Sequence, residues 1–386
     1  MGATLRRSAA SARQAIAFYI SGHGFGHASR QIEIINALGA LRPDITLLVR
    51  TSAARWLFDR TVRVPIVFAH GECDTGVVQI DSLRLDEPET IKRAAEFYAG
   101  LDARVGGETE LLAAHGVRFV VSDAPPLACA AAAAANIPSV VVSNFTWDWI
   151  YEGYGAALEA APALLPAVRA AYRHADAAWR LPMHGGFATF DTIVDVPFVA
   201  RHARYDRDPV RRTLNLPIDR PLVLSSFGGY GVNGLDVTRL DCLDDYGVIL
   251  THATASDRID APPGIHQISE ADLYGSGLHY EDLVAACDVV ATKPGYGIIA
   301  ECIANQTAIL YTSRGRFVEY DVMVREMPRF LRCGHIDHDD LFGGRWRRSL
   351  DAIVQAPLPM EHPRTDGADV VARRLSAAVE STAPRR

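Results

Sequence analysis

The sequence is poor in lysine and has no excess of positive charge. Lysine occurs only at Lys92 and Lys293, and every other basic residue is arginine. The formal net charge is -7 at pH 7. Nucleic-acid-binding domains neutralise phosphates with clustered positive charge, so nucleic acid is not an expected partner.

The sequence also lacks the signals of disulfide bonding, secretion and membrane insertion. None of its six cysteines forms a C-x-x-C pair, and several lie in apolar surroundings, which is typical of buried free thiols in a reducing compartment. No apolar run approaches the roughly 18–20 residues of a membrane span. Residues 1–14 carry arginines among Ser and Ala, and we expect a disordered extension there rather than a signal peptide. The expected location is the cytoplasm.

What the chain does have is length and a regular alternation of strand and helix patterns. Its 386 residues, 49% of them hydrophobic, are enough for two domains with separate cores. Alternating strands and helices predict an α/β fold with mostly parallel sheets covered by helices. A charged segment, 205–220, precedes a new apolar strand. We therefore predict one domain over 15–200 and a second over 201–386, both doubly wound and Rossmann-like, facing each other across a cleft.

One segment of the first domain predicts two helices. Helical patterns extend from Ile91 to Leu112 and are interrupted by Gly106 and Gly107. Glycine weakens a helix interior. The sequence therefore predicts a helix break at these glycines.

The most unusual stretch is the glycine-rich segment from Ser21 to Arg30. It follows an apolar run, 15–20, typical of a buried strand, and precedes a helical pattern that begins at Gln31. Its glycines and histidines are Gly22, Gly24, Gly26, His23 and His27. Glycines permit a tight turn and a close approach to a ligand, and a helix start offers unpaired N–H groups. The spacing matches neither the dinucleotide G-x-G-x-x-G nor the P-loop G-K-[ST] motif.

The two histidines of this segment are candidate catalytic residues. Imidazole has the side-chain pKa best suited to proton transfer near neutral pH. His27 is the better candidate for a catalytic base because the helix start would hold it rigidly, with His23 as its competitor. Two other interpretations stay open. The turn is also compatible with a purely structural role, and a metal site at i, i+4 would need a helix that the glycines disfavour.

Polar residues follow two further strands of the first domain. Asp123 ends the strand 117–123, and Asn144 follows the strand 138–143. Ligands of parallel α/β sheets bind beyond the carboxyl ends of the strands, where His27 also falls. The aromatic segment from Asn144 to Tyr151 has two interpretations, a core helix or a platform for a sugar ring or apolar acceptor.

Two glycine-rich loops in the second domain predict a phosphate site. One follows the strand 221–226 and the other the strand 289–291. Backbone N–H groups at a helix start bind phosphate, and a lysine adds a point charge. The residues we assign to ligand binding here are Phe227, Gly228, Gly229, Lys293, Gly295, Tyr296 and Gly297, with Gly24 and Gly26 from the first turn. Ordinary βα turns are the alternative.

Three acidic residues are candidates for sugar contacts in the same cleft. Glu301 lies in the early turns of the helix after Gly297 and is suited to bind a ribose diol. Glu319 and Asp321 follow the strand 308–312 and are suited to hold sugar hydroxyls. As surface acids before a helix, they would be unremarkable.

In combination, these segments resemble the GT-B glycosyltransferases, and mechanistically the murein-precursor (MurG) type with its glycine-turn histidine. From about residue 15 to 355 the chain is more similar to the N-terminal glycosyltransferase-like half of plant L-arabinokinases. The segments that carry this similarity are 22–30, 121–123, 143–148, 195–197, 227–229 and 293–297. The chain lacks the glycine/serine-rich ATP motif of the kinase half, so sugar kinase activity is not predicted.

The resemblance implies an inverting, metal-independent GT-B glycosyltransferase without a cofactor. A nucleotide diphosphate sugar, most often a UDP-sugar in such enzymes, would place its diphosphate at the glycine loops, its ribose at Glu301 and its sugar at Glu319 and Asp321. His27 would deprotonate an acceptor hydroxyl, and Asp123 would orient it. The donor loop departs from the Ser-Gly-Ala and His-Cys-Gly forms of better-known relatives, which makes its phosphate contacts less secure.

The expected partners are therefore a nucleotide-sugar donor and a hydroxyl-bearing small-molecule or carbohydrate acceptor. Some lipid-acceptor relatives contact membranes peripherally, but nothing in this sequence supports such contact, and it specifies no oligomeric state. Two alternatives remain. One is a nucleotide-sugar epimerase or hydrolase of the same fold, and the other is a non-catalytic nucleotide-sugar-binding regulatory protein.

Overall fold

A computed structural model describes residues 14–227, 234–252 and 257–382 of the chain. The predicted extension, 1–14, lies outside these residues except for Gln14. Gly228 and Gly229 of the predicted phosphate loop also lie outside them.

The first half of the chain, up to residue 200, contains a seven-stranded parallel sheet. Its central strands are continuous apolar runs, as expected for strands with helices on both faces. The strands are β1 (Ala15–Ile20), β2 (Thr46–Thr51), β3 (Val67–His70), β6 (Val117–Asp123), β7 (Ser139–Phe145), β8 (Ala177–Gly185) and β9 (Ile193–Asp195), with the short antiparallel hairpin β4 (Val78–Gln79) and β5 (Leu85–Asp86) outside the sheet. The order across the sheet is β3-β2-β1-β6-β7-β8-β9.

The helices of the first half cover this sheet. They are α1 (Gly24–Leu41), α2 (Arg55–Thr61), α3 (Glu87–Ala99), α4 (Leu101–Ala114), α5 (Pro126–Ala134), α6 (Trp147–Glu152), α7 (Gly155–Leu158) and α8 (Leu164–Tyr172). The predicted break at Gly106 and Gly107 is wrong, because both lie inside α4, and the chain turns at Gly100. An interior glycine costs only about 1 kcal/mol relative to alanine, which a packed helix tolerates.

The second half repeats the plan with a six-stranded parallel sheet of order β12-β11-β10-β13-β14-β15. Its strands are β10 (Leu222–Ser226), β11 (Gly247–His252), β12 (Ile265–Ser269), β13 (Val289–Thr292), β14 (Ala308–Tyr311) and β15 (Cys333–His335). Its helices are α9 (Arg207–Thr213), α10 (Glu270–Gly275), α11 (Tyr280–Ala286), α12 (Tyr296–Asn305), α13 (Glu319–Glu326), α14 (His338–Phe342), α15 (Arg347–Gln355) and α16 (Gly367–Thr382), with 3-10 turns at Val237–Arg239 and Met327–Arg329. Two parallel sheets covered by helices confirm the predicted α/β fold.

Each sheet has one point where the strand order reverses. In the first sheet β1 lies between β2 and β6, and Ile20 pairs with Asp123. In the second sheet β10 lies between β11 and β13, and Ser226 pairs with Thr292. Such switch points leave a crevice beyond the strand ends, where α/β proteins bind ligands.

Beyond the linker, the contacts between the halves include those made by helix α16 and by the loop between β4 and β5. Helix α16 packs against α1, and Arg42 pairs with Glu380 at 3.0 Å, so this last described helix lies on the first half. The loop between β4 and β5 reaches the opposite way. Ser82 Oγ donates to the carbonyl oxygen of Phe227 at 2.5 Å, and Leu83 is buried in the core of the second half.

Candidate active site

His27 and Asp123, both predicted from the sequence, lie within hydrogen-bond distance of each other. Helix α1 begins at Gly24, whose φ of 70° favours glycine, and this start places His27 in the first helical turn. Nδ1 of His27 lies 3.0 Å from Oδ1 of Asp123 at the end of β6. Both residues are buried, with exposures of 6% and 0%. Nδ1 also lies 2.9 Å from Nη2 of Arg30. In the tautomer whose Nδ1 proton is directed at Asp123, Nε2 is the basic nitrogen.

Arg30, which the sequence analysis missed, lies one turn after His27 and holds the same carboxylate. Its Nε donates to Oδ2 of Asp123 at 2.8 Å, and its Nη2 donates to Oδ1. Burial raises the pKa of Asp123, but the charges of Arg30 and His27 outweigh this and hold it below its ordinary value. Asp123 is therefore ionised at neutral pH. Arg30 could have been found from the sequence, because it is a charged residue at a position on the buried face of the predicted helix.

The network continues from Arg30 into the second half. Nη1 of Arg30 donates to Oδ1 of Asn144 at 2.5 Å. Nδ2 of Asn144 in turn donates to Oε1 of Glu319 at 2.7 Å. Glu319 is the first residue of α13 and is buried. Arg30, Asn144 and Glu319 thus connect the His27–Asp123 pair to the second half of the molecule.

The backbone after Asp123 is strained. Ala124 has a φ of 71°, which costs a residue with a Cβ roughly 1–3 kcal/mol. It is fully buried, and its carbonyl oxygen accepts a hydrogen bond from the hydroxyl of Tyr172 at 2.5 Å. The surrounding core therefore fixes the end of β6 in one conformation.

His23 has different surroundings from His27. Nδ1 accepts from the backbone N–H of Val77 at 3.4 Å, so Nε2 carries the proton. Nε2 lies 3.3 Å from the amide nitrogen of Gln79, and the amide oxygen of Gln79 can accept this proton once the amide is turned over. The ring stacks on Phe317 with centroids 6.1 Å apart. Burial first, and then the charges of His27, Arg314 and Lys293, lower its pKa well below the ordinary value. Both of its nitrogens are occupied by protein contacts, so these contacts favour His27 as the base.

Asp74, in the loop after β3, is a second residue that the sequence analysis missed. Its carboxylate is 3% exposed and accepts from Oγ of Ser21 at 3.0 Å and from Nε1 of Trp147 at 2.8 Å. Burial raises its pKa to about 6. Trp147 itself is fully buried, as are Tyr151 and Tyr154. Of the two interpretations of the aromatic segment, the structure therefore shows the core helix.

The opposite wall of the crevice is the start of α12. Gly295 caps this helix in an extended conformation, and no side chain caps it. A Cβ built on Gly297 would lie 3.2 Å from Cα of Gly26, so the starts of α1 and α12 are close together. No side chain caps α1 either. Two uncapped helix starts that converge offer N–H groups and partial positive charge to an anion.

Two cations accompany these helix starts. Burial, and then the charge of Arg314, lower the pKa of Lys293 to about 7, while Asp81 acts weakly in the opposite direction. Arg314 donates from Nη1 to the carbonyl oxygen of Pro294 at 2.9 Å, and its guanidinium lies 4.1 Å from the centroid of the Phe317 ring. The positive charges of Lys293 and Arg314 repel each other where little water screens them. An anionic ligand would relieve this repulsion, so the site favours one.

Comparison with solved structures identifies the architecture. The glycotransferase of kitacinnamycin matches with a TM-score of 0.62 at 16% identity, over 96% of this chain and 99% of that one. The chain has the GT-B glycosyltransferase fold. No protein-family model matches it.

Two relatives resemble this GT-B chain in sequence. L-arabinokinase of Arabidopsis thaliana is 32% identical over 375 residues, which are 95% of this chain but 35% of that protein. This chain therefore spans about a third of that relative's length. An uncharacterized glycosyltransferase of Methanopyrus kandleri is 26% identical over 240 residues, 55% of this chain and 60% of that protein.

The other predicted residues are buried against protein groups or lie at the surface of the GT-B fold. Tyr296, the first residue of α12, is buried. The guanidinium of Arg30 lies 5.2 Å from its ring centroid, and its hydroxyl accepts from the backbone N–H of Val199 at 3.2 Å. Glu301 is buried and accepts from Nε of Arg201 at 2.6 Å. Burial, opposed by Arg201, raises the pKa of Glu301 to about 7. Asp321 is exposed on α13.

The structure thus brings part of the predicted set together. The residues around the crevice of the GT-B fold are His23, His27, Gly24, Gly26, Asp123, Lys293, Gly295, Gly297 and Glu319. Within the described part of the chain, no three His, Cys, Asp or Glu side chains cluster in a way that could hold a metal ion. None of the described helices has both the length and the apolar character needed to cross a membrane.

Proposed function

We propose that this chain is an inverting glycosyltransferase that moves a sugar from a nucleoside diphosphate sugar to an acceptor hydroxyl. The observation that carries the proposal is the His27–Asp123 pair at 3.0 Å, which lies in the same crevice as the converging starts of α1 and α12. The GT-B fold and the similarity to a glycosyltransferase of Methanopyrus kandleri support it.

The donor would bind with its diphosphate at the two helix starts. Arg314, and Lys293 in its protonated form, would add positive charge to the partial charges of the helix ends, and this combination suits a diphosphate leaving group. Glu319 would hold a sugar hydroxyl. Glu301 would bind the ribose, which requires its carboxylate to exchange Arg201 for the ribose diol. We propose a UDP-sugar as the donor.

His27 would act as the general base. Its Nε2 takes the proton of the acceptor hydroxyl while that oxygen attacks the anomeric carbon. The bond from the anomeric carbon to the diphosphate oxygen breaks, and the diphosphate leaves with the electron pair, which inverts the configuration. Asp123 stabilises the imidazolium that forms. A positioned base of this kind contributes roughly 10²–10⁴-fold to the rate.

The positive charge that the departing diphosphate needs is supplied by the protein in this scheme. We therefore propose a reaction that proceeds without a metal ion. We propose that the reaction takes place in the cytoplasm, where the free cysteines of the chain remain reduced.

The test is product analysis with the purified protein. A panel of UDP-, GDP-, ADP- and dTDP-sugars is incubated with mixed hydroxyl acceptors, and diphosphate release and the anomeric configuration of the product are measured. We expect acceptor-dependent release and an inverted linkage. Free sugar without an acceptor would favour a hydrolase, an altered donor sugar would favour an epimerase, and tight donor binding without turnover would favour a regulatory protein.

A further inference from the structure

Asp74 is a buried acid to which the proposed mechanism gives no role. It lies in the loop after β3 and is 3% exposed. Its Oδ1 accepts from Oγ of Ser21 at 3.0 Å, and its Oδ2 accepts from Nε1 of Trp147 at 2.8 Å. Each oxygen of the carboxylate thus holds a different element, the glycine turn (21–24) on one side and α6 on the other.

The contact with Ser21 fixes the backbone of the glycine turn. Oγ of Ser21 donates to Asp74 and also accepts from the backbone N–H of His23 at 3.2 Å. Because Asp74 takes the hydroxyl proton, a lone pair of Oγ remains for this N–H. Helix α1 begins directly after these residues, so Asp74 helps to set the position of His27 on its first turn.

The contact with Trp147 extends to the histidine rings. The indole is stacked on the ring of His27, with centroids 6.5 Å apart and an angle of 30° between the planes. It meets the ring of His23 edge-on at 5.9 Å. Asp74 fixes the indole through Nε1, and the indole in turn restricts the orientation of the His27 imidazole.

The His27–Asp123 pair by itself does not balance the charge of an imidazolium. Asp123 also accepts from Nε of Arg30 at 2.8 Å, so the guanidinium already matches its charge. A proton taken up by His27 would leave these three buried residues with one net positive charge. Buried charges are costly unless they are paired.

Glu319 and Asp74 are two further buried acids near these residues. Glu319 is separated from Arg30 by Asn144 and lies where we propose that the donor sugar binds. Asp74 lies behind Trp147, and its carboxylate responds to the charge of His27. Asp74 is therefore the acid placed to balance the imidazolium.

We infer that Asp74 is a positioning residue of the proposed reaction, whose carboxylate fixes the glycine turn and supplies the negative charge that balances the imidazolium of His27. The inference rests on the proposed function, because it concerns how the same base is held. No bond to Asp74 forms or breaks in this role, and the proton from the acceptor stays on Nε2 of His27.

The interaction between Asp74 and His27 acts in both directions. Burial raises the pKa of Asp74 to about 6, and the charge of His27 is the largest effect that opposes burial, whereas Asp123 raises the pKa further. Proton binding at two coupled sites is reciprocal. Ionised Asp74 therefore favours protonated His27 as much as protonated His27 favours ionised Asp74, and this support is present above about pH 6.

Other titratable groups around Asp74 keep one charge state near neutral pH. Burial lowers the pKa of His23, so its ring is neutral. Arg93 of α3 lines the same small polar cavity as Asp74 but pairs with Glu89 at 2.8 Å. Burial raises the pKa of the thiol and phenol groups that face Asp74, so each is uncharged; they belong to Cys73, Tyr98, Tyr151 and Tyr172.

The test is an NMR titration of the histidine ring protons in wild type, Asp74→Asn and Glu72→Gln. Asparagine has nearly the shape of aspartate without its charge, and urea denaturation verifies that the variant is folded. Glu72→Gln is the matched control, because Glu72 is exposed in the same loop and water screens its charge. We expect the titration midpoint of the His27 ring to move to lower pH by roughly 1 unit in Asp74→Asn and to stay unchanged in the control.

A second measurement uses wild type alone and so does not depend on how a variant folds. The indole N–H resonance of Trp147 reports on the carboxylate that it contacts. We expect this resonance to shift near pH 6 as Asp74 titrates, with an inflection of the His27 ring resonance at the same pH. Two resonances without a shared inflection would overturn the inference.

Glycosyl transfer provides a readout that loss of packing alone would not move. In Asp74→Asn the base is weaker, so kcat should fall by up to about tenfold, and the acid limb of its pH profile should move to lower pH together with the His27 midpoint. The KM for the donor should be unchanged, because Asp74 lies on the far side of the histidines from the helix starts.

Each outcome separates this inference from the proposed function. A His27 midpoint that is the same in Asp74→Asn and wild type, or that moves equally in Glu72→Gln, overturns the inference whether or not the protein transfers a sugar. A lower kcat with an unmoved acid limb also overturns it and leaves the glycosyltransferase proposal intact. A shifted midpoint without any transfer from a donor supports the pairing of Asp74 with His27 and contradicts the glycosyltransferase.

Discussion

Asn144 in the first half donates a hydrogen bond to Glu319 in the second half, with 2.7 Å between Nδ2 and Oε1. The Oδ1 atom of the same asparagine accepts from Arg30, Arg30 holds Asp123, and Asp123 holds His27. The orientation of the candidate base is therefore connected to the first residue of α13, where we propose that the donor sugar binds.

Removing the amide of this asparagine tests the connection. Asn144→Ala leaves one nitrogen of the buried Arg30 and the carboxylate of Glu319 without their partner, so we expect a loss of about 1–3 kcal/mol in the free energy of unfolding. Glu319→Gln keeps an acceptor oxygen and should lose less. Urea denaturation of the three proteins measures both effects. An Asn144→Ala protein as stable as wild type would contradict the assigned contact.

The two lysines of the chain form a matched pair for testing the phosphate site. Lys293→Met should weaken nucleoside diphosphate binding by roughly ten- to a hundredfold, since a charged hydrogen bond contributes about 1.5–3 kcal/mol. Lys92→Met, on the exposed face of α3, should leave it unchanged. Isothermal titration calorimetry at pH 6.5 provides the comparison.

The pH dependence of this difference follows from the lowered pKa of Lys293, about 7. Below pH 7 the free protein already carries the charge, whereas above pH 7 it must first bind a proton. The gap in affinity between wild type and Lys293→Met should therefore narrow as the pH rises. A gap that widens, or equal affinities at pH 6.5, would contradict a phosphate role for Lys293.

Asp74 should make the stability of the protein depend on pH. Its folded pKa of about 6 lies above the ordinary value of 3.8, so between these values the folded state binds more protons than the unfolded state. The stability contributed by the protonated form is then lost as the pH rises from about 4 through 6. Relative to Asp74→Asn, wild type should lose up to roughly 3 kcal/mol across this window. Urea titrations of both proteins at pH 4 and pH 7 measure the difference in their free energies of unfolding. A difference that is the same at both pH values would contradict the raised pKa of Asp74.

The strands of the crevice and their ends could be predicted from the sequence. A strand covered on both faces leaves a continuous apolar run, so 15–20, 117–123 and 289–291 were recognisable. Because the carboxyl ends of parallel strands share one edge, the first two runs placed His27 and Asp123 at one edge of the first sheet, and the third placed Lys293 at the corresponding edge of the second sheet.

The contacts between distant segments could not be predicted. Asp74 gains its role from Ser21 and Trp147, which lie far away in the sequence, and the short β4–β5 hairpin leaves no periodic pattern. Glu301 was predicted to bind a ribose, and its pairing with Arg201, 100 positions earlier, was not foreseen. Such pairings depend on how distant segments within each half pack together, and no local spacing encodes them.

The most direct test of the central claim compares His27→Ala with His23→Ala in glycosyl transfer. We expect His27→Ala to lower kcat by roughly 10²–10⁴-fold with nucleoside diphosphate affinity unchanged, and His23→Ala to retain most of the wild-type kcat. Full activity in His27→Ala, with the loss found in His23→Ala instead, would contradict the assignment of His27 as the base.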